Sequence, residues 1–388
     1  MAANRQGQKS VALTNAGWNQ TPVRHVAVIS CQRIAGRKGM RRGISLLEVL
    51  FSVGVLLIGL LGVAILLPVA AKSARDGLTI DRAARNGLNW VREFQMRGYC
   101  NPRTWLIAGP NGGGFAYDPV QPFCIDPNFA AVNGDSVFPY VPNSQVFMRR
   151  ITVPSALLPN GNPVGLIDRE QAREVFTSQD ETTFDRPPDL KLPAQPVFST
   201  VNGVPVKRLS DGRLSWFATI VPKMESLSAG QIVSDFYTLS IVVVAGRDPA
   251  FATASMFPKP DNERVLNVVL PPNTTFQGGE ITLQTKPGRP PIDIQLRRGD
   301  WVVLSGLQQY VGISNPVPVF RWYQVSSTSD VVPDPTDPSL LGPYAMDVTL
   351  QGPDWDYNVT PMEATVVTGV IAVYEKTVRR EFDSLFTN

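Results

Sequence analysis

The chain has 388 residues, room for two or three compact units, and a formal net charge of only +3. That excess is local: residues 1–43 hold Arg5, Lys9, Arg24, Arg33, Arg37, Lys38, Arg41 and Arg42 with no Asp or Glu, leaving 28 basic against 33 acidic side chains, about −5, after Gly43. No nucleic-acid partner is therefore expected, and because the single histidine, His25, lies in the same segment, Ser-His-Asp and Cys-His catalysis, His-liganded zinc and a histidine pH switch are excluded downstream.

From Ile44 to Ala71 the sequence reads ISLLEVLFSVGVLLIGLLGVAILLPVAA, with Glu48 its only charge. As a helix this run is roughly 42 Å long at about 1.5 Å per residue, enough to cross a bilayer core with tilt. Arg37, Lys38, Arg41 and Arg42 crowd its N-terminal side, which by the positive-inside bias stays cytoplasmic while the rest is exported. A carboxylate inside such a helix costs on the order of 2.5–3.5 kcal/mol on insertion scales, which makes Glu48 a functional candidate by default.

The segment Arg41-Arg42-Gly43-Ile44-Ser45-Leu46-Leu47-Glu48-Val49-Leu50 resembles the processing site of type IV prepilins and type II secretion pseudopilins, and Ile58-Gly59-Leu60-Leu61-Gly62 is similar to a run in minor pilins of the pilus-modification type. The resemblance implies cleavage after Gly43 by a prepilin peptidase and N-methylation of Ile44 as the new first residue. It implies that Glu48 attracts the N-terminal ammonium of a neighbouring subunit, an opposite charge that offsets the cost of burying a carboxylate. Other pilin or pseudopilin subunits, an inner-membrane assembly platform and membrane lipid follow as partners, with no cofactor. Two departures stand out. Ile44 occupies a place where Phe or Met is commoner in the family, and the leader is long, although a start at Met40 would shorten it to Met-Arg-Arg-Gly.

Three other readings compete for the same run. An ordinary signal anchor has the basic flank and the apolar helix but gives no reason for the glutamate. Val69-Ala70-Ala71 would suit a signal-peptidase cut before Lys72, but the run exceeds the usual h-region of about 7–15 residues. Arg41-Arg42 as a twin-arginine signal is followed by Gly-Ile-Ser and an acid in the core.

Beyond Ala71 the spacing of Ala74, Gly77, Ile80, Ala84, Leu88, Val91 and Phe94 predicts one apolar stripe of a helix, with Gly98 as its C-cap and Asn101-Pro102 preventing continuation. Pro68 is expected to bend it. After residue 100, Gly, Pro and Asp clusters separate short runs rich in β-branched and aromatic residues. Strands are predicted over 146–153, 214–222, 236–245, 265–270, 281–284, 301–304, 320–325, 345–350 and 365–374. Once exported, Cys100 and Cys124 meet oxidising surroundings. A disulfide between them would be worth roughly 3 kcal/mol in the loop-entropy model, the alternative being two buried thiols. Asp330, Asp334 and Asp337, and Asp354 with Asp356, are weak calcium candidates lacking EF-hand spacing, and no metal is assigned.

The expected fold is α+β and pilin-like, a long N-terminal helix packed on an antiparallel β-rich body that holds a second β-module. Its parts are a leader (1–43), a membrane half (44–71) and an amphipathic half (72–98) of the helix, a loop-rich region (99–210) and a β-rich domain (211–388). The expected function is a minor pilin or pseudopilin. It would be single-pass in the cytoplasmic (inner) membrane with its body exported to the periplasm or cell surface, then built into a pilus or pseudopilus. The alternative is a membrane-tethered exported binding protein that does not polymerise, or an enzyme, for which no spacing nominates a site.

Overall fold

The computed structural model describes residues 45–109, 114–116, 118, 120–140, 144–158, 163–176, 182–183, 195–201, 204–210, 214–224, 233–247, 263–270, 279–310, 313–333, 343–355, 359 and 362–380. Helix α1 (Leu46–Met96) is followed by strands β1 (Leu106–Ile107), β2 (Gly114–Phe115) and β3 (Phe123–Ile125). Helix α2 (Pro127–Asn133) leads to β4 (Ser136–Phe138), β5 (Met148–Ile151), β6 (Pro154–Leu157), β7 (Pro163–Leu166) and helix α3 (Arg169–Phe176). Strands β8 (Thr182–Thr183), β9 (Gln195–Val201) and β10 (Val204–Ser210) form a small sheet ahead of β11 (Leu214–Met224) and β12 (Val233–Ala245). The chain closes with β13 (Glu263–Val269), β14 (Glu280–Gln284), β15 (Trp301–Gln308), β16 (Val317–Thr328), β17 (Val332–Pro333), β18 (Tyr344–Gln351), β19 (Met362–Val367) and β20 (Val370–Arg379).

Residues 68–388 form one compact unit built on two sheets. The first has the order β20-β12-β11-β3-β5-β4 and is antiparallel except between β3 and β5. Successive side chains of a strand point to opposite faces, and here both faces are buried, so the alternation sorts one sheet into two cores. One face turns Phe123, Ile125, Trp216, Ile220, Leu239 and Ile241 toward the Trp90 and Phe94 side of α1. The other turns Cys124, Met148, Phe217, Val242 and Val244 toward Val303, Phe320 and Trp322 of the second sheet. That second sheet runs β14-β13-β19-β15-β16-β18 and back to β14, antiparallel at every pairing, a closed six-stranded barrel. Closure removes free edges from the circuit and gives a third core around Leu283, Val302, Leu304, Tyr323 and Val325. The chain is thus α+β, with a long N-terminal helix and a strand-rich body of antiparallel sheets and a barrel.

The C-terminal end of α1 follows the expectation. Gly98 has φ +70, the Tyr99 N–H donates to Phe94 O at 3.1 Å and the Gly98 N–H to Gln95 O at 3.0 Å. This is a Schellman closure, and the Tyr99 ring packs edge-on to Phe94 at 5.6 Å. The apolar stripe differs. The buried residues are Ala83, Gly87, Trp90, Val91 and Phe94, while Ile80 and Leu88 are 61% and 57% exposed. Close approach explains the rotation: the Tyr374 ring of β20 lies where a side chain at Gly87 would start, and a Cβ there would sit 2.0 Å from a ring carbon. Small residues admit the sheet, and Trp90 stacks on Trp216 at 6.1 Å.

Two further differences concern boundaries. The run 365–374 is two strands: Met362–Val367 belongs to the barrel and Val370–Arg379 to the edge of the first sheet. The chain changes sheets at Gly369, whose φ of +83 no β-branched residue adopts easily and where a Cβ would meet Ala245 O at 2.5 Å. The first sheet also crosses position 211, since β3, β4 and β5 from the loop-rich region pair into the sheet of β11, β12 and β20.

Sheet and barrel are joined by buried charge. Arg150 of β5 is enclosed; its guanidinium pairs with Asp126 and with both Glu263 oxygens, its Nε donates to Val137 O at 2.9 Å, and it lies 3.9 Å from the Phe129 ring centre. Arg247 Nη1 donates to Asp126 Oδ1 at 2.9 Å, and the Tyr140 N–H donates to Glu263 Oε2 at 2.7 Å. Two cations and two carboxylates balance, as burial requires. Burial alone would raise the Asp126 carboxyl, but Arg247 and Arg150 beside it hold it below the usual range.

Gly87→Leu should destabilise the body by about 1–3 kcal/mol through overpacking against Tyr374, whereas Gly77→Leu, at an open position, should leave the thermal melt unchanged or slightly raised. Asp126 has a folded pKa below its unfolded one, so its contribution is full above about pH 4 and is lost as pH falls through the folded value. Urea midpoints should therefore be flat from pH 8 to about 5 and drop below about pH 4. Asp126→Asn should lower the plateau by about 3–5 kcal/mol and shrink the acid limb.

Candidate membrane-spanning and assembly helix

The first half of α1 is rich in Leu, Val, Ile and Gly, and as a helix it closes its interior backbone hydrogen bonds within the segment, so they need no polar partner from outside. An 18-residue window within α1 has a mean hydropathy of 2.8 and none of it is buried. Among the described residues this is the one helix long and apolar enough to cross a membrane. Residues 46–67 alone give roughly 33 Å at about 1.5 Å per residue, matching a hydrocarbon core of about 30 Å. Phe51, Ile58, Leu61 and Leu67 are 64–74% exposed, an arrangement that water would penalise and lipid would accept. Pro68 stands inside the helix.

The start of the helix is closed through the Glu48 backbone. Ser45 is the residue before Leu46, and its Oγ accepts from the Glu48 N–H at 3.2 Å while its carbonyl accepts from the same N–H at 2.9 Å. Ser45-Leu46-Leu47-Glu48 is therefore a capping-box pattern, with the acid in the first turn where the helix dipole favours it. The Ser-x-x-Glu spacing is the sequence signal for it. Ser52 Oγ donates to Glu48 O at 2.8 Å, and the Glu48 side chain is exposed. Among the described residues no cation pairs with its carboxylate, so in lipid its compensation would have to come from elsewhere.

The remaining predicted residues are dispersed. Arg41, Arg42, Gly43 and Ile44 lie outside the described residues, as do Asp334, Asp337 and Asp356. Asp330 and Asp354 are described, and no group of three metal-ligating side chains converges among the described residues. Cys100 and Cys124 are buried and not joined to each other, which corrects the expected disulfide. The pleat explains it: Cys100 belongs to the core between α1 and the first sheet, whereas Cys124, flanked by Phe123 and Ile125 of that core, points through the sheet to the barrel side. Burial raises the Cys124 thiol well above its ordinary range and keeps it unreactive.

No family model, curated protein or solved structure matches this chain.

Both cysteines should resist a maleimide in the native state and react in urea without prior reduction, with no mass difference of a disulfide between oxidised and reduced samples.

Proposed function

We propose that the chain is a minor pilin or pseudopilin: a subunit cut after Gly43, held in the cytoplasmic membrane by residues 44–71 and assembled into a filament through that helix. The carrying observation is the apolar helix half, exposed along its length, with a single carboxylate in its first turn directly after a basic segment. Lipid accommodates the apolar face before assembly, and other helices accommodate it afterwards, with Gly54, Gly59 and Gly62 leaving open positions for close packing. The second half of α1 supports the reading by seating its Ala83-Gly87-Trp90-Phe94 face on an antiparallel sheet. The barrel makes the body larger than a small pilin head, which suits a low-copy or tip subunit better than a repeating one. Prepilin peptidase, sister subunits and an inner-membrane platform are the partners this reading requires.

Intact mass and N-terminal sequence of the protein taken from its native membrane test processing. An N-terminus at Ile44, with or without a methyl group, is expected; one at Lys72 or an uncut chain would reject the proposal. Glu48→Ala and Glu48→Gln then separate charge from polarity. Gln keeps the length and polarity of the side chain and removes the charge, so both variants should lose filament incorporation at least tenfold. Assembly restored by Gln alone would mean that Glu48 acts through a neutral polar contact and not through its charge.

A further inference from the structure

The side of α1 that faces away from the sheet carries a line of positive charge that the fold leaves unused. Arg75, Leu78, Arg82, Arg85, Asn89 and Arg92 follow one another at steps of three or four residues, one row along a helix. At about 100° per residue the row lies about 140° round the helix from the buried row of Ala83, Gly87, Trp90 and Phe94. All six residues are exposed. Over residues 72–97 the helix has six basic side chains, Lys72, Arg75, Arg82, Arg85, Arg92 and Arg97, against Asp76, Asp81 and Glu93. Asp81 is taken by Arg85 and Glu93 by Arg97, and Asp76 lies off the row, about 100° round from Arg75. No acid stands on the row, and among the described residues no carboxylate pairs with Arg75, Arg82 or Arg92.

We propose that this row seats an acidic helix of a different protein chain, laid along α1 with its Asp and Glu side chains against Arg75, Arg82 and Arg92. The inference rests on the pilin reading, which puts residues 72–97 outside the membrane beside other helical subunits. Length and sign together select the occupant. From Arg75 to Arg92 the row is straight and about 26 Å long, which asks for a partner element of the same length. A second copy of this chain offers none among the described residues: α2 and α3 have 7 and 8 residues, and α1 would set one basic row against another. Nucleic acid is disfavoured because the chain after residue 97 has 22 basic against 29 acidic side chains, a field that repels a polyanion. Lipid headgroups reach only the near end, since Arg82 and Arg92 stand roughly 16 and 31 Å along the helix from Ala71, beyond a Debye length of about 8 Å. Exposed ion pairs are individually weak, so the contact depends on both helices being held in one membrane or filament at high effective concentration.

The test is photocrosslinking in the native cell, with benzoylphenylalanine in place of Asn89 and, separately, of Leu78, and the adduct's peptides identified by mass spectrometry. The expected product joins α1 to a helical segment of another chain that has Asp or Glu at steps of three or four residues. Its yield should fall at least about fivefold in Arg82→Glu/Arg92→Glu protein with an unaltered melt, and recover when the partner's facing acids are changed to Arg. An adduct with a second copy, with lipid, or with a segment lacking that acidic spacing would overturn the proposal. So would no adduct from either position, or a yield indifferent to the charge reversal. The N-terminus is read on the same sample: a chain cut at Ile44 that does not crosslink rejects the acidic partner and leaves the pilin reading standing, whereas an uncut chain rejects the pilin reading itself.

Discussion

Arg150 is the point at which the two β-modules share one charge. Its guanidinium leaves water completely, so it needs partners in several directions, and they come from different elements: Asp126 at the start of α2, Glu263 at the start of the barrel, and Val137 O on the neighbouring strand. A buried ion pair is a weak source of net stability but a strong source of alignment, because any arrangement that parts the charges strands them without solvent. Glu363 repeats the device, accepting from Ser144 Oγ at 2.9 Å and the Gln145 N–H at 3.1 Å while pairing with Lys286. Two adjacent barrel strands thus hold the segment before and within β5.

With that registration set, the first sheet has water on neither face over its centre. Phe217 and Trp322 meet across one side, where the Trp322 indole donates to Thr219 Oγ1 at 3.1 Å; Trp216, Trp90 and Phe176 meet across the other. The pattern of β11 is accordingly near-continuous burial rather than alternation. The same logic divides α1. Its C-terminal half has a sheet to cover Trp90 and Phe94, and its N-terminal half has exposed Leu, Val and Ile that ask for a different solvent. The two halves of one helix therefore differ in what covers them, and the change falls near Pro68.

Much of the scheme was legible in the residues. The apolar run, its lone carboxylate, the Gly98 cap and most barrel and sheet strands follow from local composition and backbone preference, which operate over a few positions. What was missed depended on partners distant in sequence. Hydropathy favours Ile80 and Leu88 over Gly87 for the helix stripe, yet Tyr374 selects the smallest residue available. Cys100 and Cys124 read as a disulfide because spacing carries no information about which face of a sheet a thiol occupies. The break at Gly369 and the Ser-x-x-Glu pattern at Ser45 are local signals carried by single residues.

The sequence by itself determined that a helix of bilayer length follows a basic segment, that imidazole chemistry is absent after residue 43, and that the remainder is β-rich. These depend on composition, period and length. Only the tertiary structure decided that the strands divide into an open sheet and a closed barrel, and that Arg150, Asp126, Glu263 and Arg247 form one neutral cluster. Such groupings bring together residues far apart in the chain, 121 positions in the case of Arg247 and Asp126, and burial makes them energetically decisive only once the fold has excluded water.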